Sequence, residues 1–388
     1  RPPSSVLRLP SSVLCPPSSV PPSAGKPPFY MQLSSLGWDD FFASHFQPFS
    51  TDGFVPARVA LEHKHAYELL SPGGDFTAVC TGRLLHDAAS RADLPAVGDW
   101  VVVRPRPNET HADIHAVLPR RTKFSRRAAG DDGAEQIVAA NVDTVFLVIA
   151  LDRNYNLRRI ERYLVVAWES GAQPVVVLNK ADLHADPAAA RREVETVAIG
   201  APVLVLSAAL GDGLEALAPW LAPGRTVALL GSSGVGKSTL INRIIGAERQ
   251  ATTAISDAVG KGRHTTTDRE LIAGPSGVLV MDTPGMRELQ LLDVDRETLD
   301  ATFADVAALT VRCRFSDCTH RSEPGCAVQA ALDDGSLEID RWQSFQKLRR
   351  EQAYAARKAD PRLERQTRAH WKKINKAQRT HYRLKNRD

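Results

Sequence analysis

No apolar run in the 388 residues approaches the roughly 18 that a helix needs to cross a bilayer, so no membrane span is expected. The start of the chain also lacks the cationic stretch, continuous apolar core and small-residue cleavage site of a signal peptide. Residues 1–30 instead repeat Pro-Ser-Ser-Val from Pro3, Pro10 and Pro17, without helical or strand period, and are expected to be a disordered leader. Position 1 is Arg and Met31 opens the first ordinary sequence, which predicts that translation begins there. Cysteine is scarce: of five, Cys15 falls in the leader and Cys80 in an expected strand, too few for a disulfide framework. The composition therefore predicts a soluble, cytoplasmic chain, expected to be monomeric, whose 43% hydrophobic content can build two or three buried cores.

The remaining cysteines are concentrated. Cys313, Cys318, His320 and Cys326 follow the spacing C-x4-C-x-H-x5-C, three thiolates and one imidazole within 14 residues. Four such ligands complete a tetrahedron, which predicts one closed, structural Zn²⁺ site stapling a segment too short for its own core. Disulfide pairing is the competing reading, disfavoured in a reducing compartment. Charge is concentrated too. From residue 341 onward there are 16 Lys and Arg against 4 Asp and Glu, a net +12 that leaves −8 for the rest. A mildly acidic body with a basic tail points to a polyanion such as RNA, and Trp371 and Tyr382 among the tail's basic residues add stacking surfaces.

The chemistry-bearing motifs come in an unusual order. Residues 226–230 read as an apolar strand and 238–245 as a helix, so Gly231-Ser232-Ser233-Gly234-Val235-Gly236-Lys237-Ser238-Thr239 is a strand-to-helix turn whose N–H groups can cradle phosphates. Glycine at 231, 234 and 236 permits positive φ and close approach of the main chain. Lys237 is placed to reach the β and γ phosphates and the Ser238 hydroxyl to bind Mg²⁺. Asp282 ends a second apolar strand, where a carboxylate can hold the Mg²⁺ shell, and Gly285 follows at γ-phosphate distance in sequence. Among the loop threonines Thr265, Thr266 and Thr267, Thr266 is expected to complete that shell. Asn179-Lys180-Ala181-Asp182 lies at the end of another strand, where Asp182 can accept both the ring N–H and the amino group of guanine, with Ser207-Ala208 beyond it. In a Ras-like GTPase the phosphate loop comes first. Here it follows the guanine-reading motif, which predicts a circular permutation, with 214–221 as the joining helix.

Five alternating segments, 58–61, 66–70, 77–81, 99–104 and 114–118, suggest a small β-barrel of OB type over 50–127, with Arg120, Arg121, Lys123, Arg126 and Arg127 at its exit free for phosphate or solvent. The expected architecture is multidomain: an N-terminal OB-like β-barrel that binds RNA, a circularly permuted P-loop α/β GTPase domain over 136–294, a C-terminal α-helical zinc-binding domain over 295–360, and a basic tail from 361 to 388.

Barrel, motif order, Gly-x-His-Thr-Thr-Thr at 262–267 and the Cys-Cys-His-Cys segment together resemble the ribosome small-subunit-dependent GTPase A family, the bacterial RsgA or YjeQ proteins, over about residues 50–345. The resemblance implies a late assembly factor that binds the small ribosomal subunit through 16S rRNA and hydrolyses GTP to GDP under the subunit's stimulation. After Gly285 stands Met286, where Ras-like enzymes carry the glutamine that orients water, and the resemblance points to His264 as the catalytic group instead. The other reading of the same residues is an RNA-binding, GTP-sensing placeholder with incidental hydrolysis.

Overall fold

The computed structural model describes residues 32–50, 52–127, 135–152, 155–246, 269–282 and 295–359, all within the unit that begins at Met31. The short alternating segments become β1 (Val55–Glu62), β2 (Tyr67–Leu70), β3 (Phe76–Cys80), β4 (Trp100–Pro105) and β5 (His111–Val117). Their order is β1-β2-β3-β5-β4, closed by β4 pairing back onto β1, with β3 and β5 parallel and the other neighbours antiparallel. That is the five-stranded OB barrel. Inward side chains of alternating positions, among them Val59, Leu69, Val101, Val103 and Ile114, fill it.

Two features around the barrel had no sequence signal. Before it, α1 (Asp40–Phe46) is capped by Asp39, whose carboxylate accepts from Phe41 N at 3.0 Å, and Trp38 and Phe42 pack on the Trp100 ring at 4.7 and 5.9 Å. Inside the β3–β4 connection lies α2 (Gly82–Asp87). Arg58, on β1, is fully buried and donates to the carbonyls of Gly98, Leu36 and Asn141. Burial pushes its pKa down to about 10, which leaves it charged at neutral pH. The basic exit of the barrel is not a phosphate surface at its first two positions: Arg120 forks onto the buried Asp99 at 2.8 and 2.6 Å, and Arg121 pairs with Asp39. A fully buried carboxylate demands a cation, and Arg120 is that cation.

A hairpin of β6 (Lys123–Arg127) and β7 (Glu135–Ala140) leads to the second sheet. Near-continuous Val/Leu/Ile runs form β8 (Thr144–Ala150), β9 (Gln173–Asn179), β10 (Val203–Val205) and β11 (Thr226–Leu230), followed by β12 (Glu270–Ala273) and β13 (Leu279–Asp282). The order is β10-β9-β8-β11-β13-β12, with all pairs parallel except β12–β13. Around this sheet stand α3 (Leu157–Glu169), α4 (Pro187–Glu195) and α5 (Lys237–Ile245). The expected joining helix at 214–221 is instead a 3-10 segment, Leu214–Trp220, because Pro219 removes a donor and forbids the α-helical bond. β12 also pairs with barrel strand β1 in the register Leu61↔Glu270, so both sheets are one hydrogen-bonded surface.

The C-terminal part is α6 (Arg296–Thr302), α7 (Ala304–Val311), α8 (Ala327–Asp333) and α9 (Ile339–Ala359). It is locked to α3 through Glu161, which is fully buried. That carboxylate accepts from Arg341 Nη1 at 2.7 Å, from Ser344 Oγ at 2.5 Å and from Arg158, while Arg341 also forks onto Asp305. The next residue of α3, Arg162, pairs with Glu351 at 2.5 Å.

Candidate nucleotide and metal sites

The parallel strands place their carboxyl ends along one edge, where open α/β sheets take ligands. β8, β9, β11 and β13 deliver Asp152, Asn179, the 231–236 loop and Asp282 there. Gly234 and Gly236 have φ of 78° and 97°, the left-handed values the turn requires. Gly231 does not have positive φ. A Cβ there would instead collide with the Val148 carbonyl, so its role is close packing on β8. α5 starts at Lys237, whose Nζ donates to Gly231 O and Ser232 O, both at 2.7 Å, folded over the loop it serves. Ser233 and Gly234 are exposed, Val235 is buried, and Ser238 and Thr239 are half-buried in the first turn of α5.

Asn179 joins three sequence-distant motifs. Its Nδ2 donates to Val235 O at 2.7 Å and its Oδ1 accepts from Ala208 N at 2.9 Å. A bare polar turn has no reason to reach the phosphate loop, yet this side chain is 98% buried in doing so, since Asn179 is only 2% exposed. Lys180 sits at φ 61° and directs Nζ to Asp152 Oδ2 at 3.0 Å. Asp182 stands exposed in the turn Ala181–Leu183 with its carboxylate open to a ligand. Ser207 is buried, its Oγ accepting from Leu210 N at 3.3 Å. Three contributors were missed by motif reading. Asp152 orients Lys180; Arg243 on α5 holds Ala208 O and Ala209 O at 3.1 and 2.7 Å; Arg159 on α3 reaches Ser232 Oγ at 3.3 Å. No spacing rule flags them, because each meets its partner across a long separation in the chain. His264, Thr265, Thr266, Thr267, Gly285 and Met286, the leader and the basic tail lie outside the described residues.

The second constellation is the metal-ligand set. The ligand atoms of Cys313, Cys318, His320 and Cys326 all lie within 4.8 Å of one another. Cys313 Sγ to His320 Nδ1 is 3.5 Å, Cys326 Sγ to the same nitrogen 3.6 Å, and Cys313 Sγ to Cys326 Sγ 3.9 Å. A tetrahedron built on bonds of about 2.0 to 2.3 Å has edges of roughly 3.5 to 3.8 Å. The donors thus suit one four-coordinate metal ion. The turn is shaped by Glu323, which accepts from the N–H groups of Thr319, Arg321 and Ser322 and from the Thr319 hydroxyl, and these bonds hold its carboxyl far below the usual range. His320 takes φ 59°, with its carbonyl held by Gln329 Nε2 at 2.7 Å. Burial, aided by Arg349, lowers the His320 pKa and so favours the neutral imidazole that binds metal. Cys326 also caps α8, accepting from Gln329 N at 3.4 Å.

A parallel sheet with a phosphate loop on its central strand and the guanine motif earlier in the chain defines the circularly permuted GTPases. The RsgA GTPase family model matches residues 117–292. The chain is 64% identical over 365 residues, 92% of its length and 100% of the relative's, to the small ribosomal subunit biogenesis GTPase RsgA of Opitutus terrae. It is 48% identical to that of Syntrophotalea carbinolica over 84% of this chain and 91% of that one. The YjeQ structure from Thermotoga maritima superposes with a TM-score of 0.57 at 29% identity, covering 77% of this chain and 99% of that one. At 24% identity and a TM-score of 0.55, YloQ, described as a circularly permuted GTPase, shares the fold. The chain belongs to the RsgA GTPase family.

Proposed function

We propose that the protein is a GTPase that engages the small ribosomal subunit through 16S rRNA late in its maturation, and that the subunit stimulates hydrolysis to GDP and phosphate. The observation that carries the nucleotide half is Asn179, whose amide ties guanine motif, phosphate loop and Ser207-Ala208 into one edge. The ribosomal half is supported by relatives named as small ribosomal subunit biogenesis GTPases along nearly the whole chain. In this reading Asp182 reads guanine over the Lys180 stem, with Ser207 and Ala208 closing the base site. Residues 231–239 and Gly285 surround the phosphates, and Ser238, Thr266 and Asp282 hold Mg²⁺, which supplies charge neutralisation between the phosphates. His264 orients the attacking water. Cys313, Cys318, His320 and Cys326 hold one Zn²⁺, which supplies structural cross-linking. The accompanying domain limits are 50–127 for the RNA-binding OB barrel, 136–294 for the permuted GTPase domain, 295–360 for the zinc domain and 361–388 for a basic tail, in a monomeric cytoplasmic protein. Among the described residues no helix is long and apolar enough to cross a membrane.

Met286 favours a second reading, a GTP-sensing placeholder on RNA, because methionine cannot orient water. GTP turnover with and without purified small subunits separates the two. Stimulation is expected; a rate unchanged by saturating subunits refutes subunit-activated hydrolysis and leaves the placeholder.

A further inference from the structure

A cavity of about 610 Å³ opens on the barrel, away from the phosphate loop, between the β1–β2 turn, β3, the β3–β4 connection and strand β7. Its volume is that of small-molecule sites in general. Part of the wall is apolar, with Val79 38% and Leu85 53% exposed, two of the few large apolar side chains that the described residues leave open to water. Tyr67, which is buried, and the Cys80 thiol also line it, and burial pushes the pKa of each up. At the rim stand Lys64, which has no ion-pair partner among the described residues, and Arg91, loosely held to Glu62 Oε1 at 3.5 Å. Uncovered, partly apolar wall, buried tyrosine and cationic rim together match a ligand with a flat, weakly polar body and an anionic end.

The back wall gives the cavity a consequence. Glu62 faces Arg91 with one oxygen and Arg269 with the other, the latter at 3.8 Å. Arg269 also donates to Ile137 O at 3.4 Å, and Ile137 lines the cavity. The next residue, Glu270, is where β12 pairs with Leu61 of β1. β12 and β13 form the hairpin that ends at Asp282 beside the phosphate loop. Both Glu62 pairs are long, so an anion that draws Arg91 away leaves the Glu62 carboxylate to Arg269 alone.

We propose that this cavity is a nucleoside-phosphate site, base against Val79 and Leu85 and phosphate against Lys64 and Arg91, whose occupancy is passed through Glu62 and Arg269 to the β12–β13 hairpin of the nucleotide site. The binding half stands without the GTP reading; the coupling half rests on it. The ligand comes either as a residue of an RNA strand or as a free nucleotide, and the experiment tells them apart.

Full-length protein saturated with GDP is titrated with uridine monophosphate, which a guanine-reading site rejects, and with fluorescein-labelled U5 RNA. Binding of U5 alone identifies a strand, and competition by the monophosphate identifies a free nucleotide as well. Leu85→Glu, a change at an exposed position, is expected to weaken whichever probe binds about tenfold or more by putting a hydrated carboxylate where the base would pack, and Arg91→Ala to weaken it less. If neither probe binds, or both variants bind as the wild type does, the site is refuted. For coupling, bound probe is expected to change the release rate of a fluorescent GDP analogue about fivefold or more, and Glu62→Gln to abolish that change while U5 still binds. Failure of the GDP analogue to bind at all defeats the GTP reading; binding with a release rate indifferent to the probe defeats the coupling.

Discussion

Replacing Asn179 by Asp changes one atom and tests the junction of the nucleotide site. In the wild type, Nδ2 donates to Val235 O at 2.7 Å and Oδ1 accepts from Ala208 N at 2.9 Å, both in a buried setting. Aspartate keeps the second bond but sets an anionic oxygen against the Val235 carbonyl, acceptor facing acceptor. The lost bond strands a buried carbonyl, at about 1 to 3 kcal/mol, and the buried charge adds to it. The loop escapes by shifting, and a nucleotide must then draw it back. A penalty of about 3 to 4 kcal/mol corresponds to a GTP affinity lowered roughly a hundred- to a thousandfold. Titration of a fluorescent GTP analogue measures it, with circular dichroism confirming that the variant is folded. Asn179→Ala, which introduces no charge, is expected to lose less. An Asn179→Asp protein within about threefold of wild-type affinity would show that the tie between motifs is incidental and would remove the argument built on it.

Asp182→Asn replaces an acceptor by a donor, so the variant is expected to lose GTP and gain XTP; retained preference for GTP in a competition titration rejects the guanine-reading role. One zinc per chain is expected by elemental analysis, and Cys313→Ala, which removes one of the four ligands, should abolish it while GTP binding survives. Arg341→Met leaves Glu161 buried with only Arg158 and Ser344, which is expected to cost about 3 to 5 kcal/mol and to expose the C-terminal helices to limited proteolysis. His264→Ala is expected to remove most subunit-stimulated turnover with GTP affinity nearly intact, and full stimulation in that variant would place the catalytic group on the subunit.

Strands buried on both faces were legible in the sequence because they read as near-continuous apolar runs: β11 runs from Thr226 to Leu230, as the apolar run predicts. The phosphate loop, the guanine motif and the metal ligands were legible because their chemistry fixes residue type and spacing together. What escaped depends on distance in space. The partner of Arg120 is the buried Asp99, which no local pattern announces, so a structural ion pair looked like a free basic exit. The Trp38–Phe42–Trp100 contact and the pairing of β12 with the barrel join segments far apart in the chain. Gly231 was assigned the right type for the wrong reason, since the neighbour that excludes a side chain there is Val148, on another strand.

The position of β11 in the sheet bears on synthesis. It lies between β8 and β13, yet its first residue, Thr226, is made 76 residues after Ala150 ends β8. At roughly 5 to 20 residues per second, β8 waits on the order of 4 to 15 seconds with one edge unpaired. Its seven buried residues carry no charge, the kind of edge that invites pairing with another nascent chain. A permuted order that leaves the finished site intact therefore moves the hazard to the growing chain, with β9 covering one side of β8 and the other open until the phosphate-loop strand arrives.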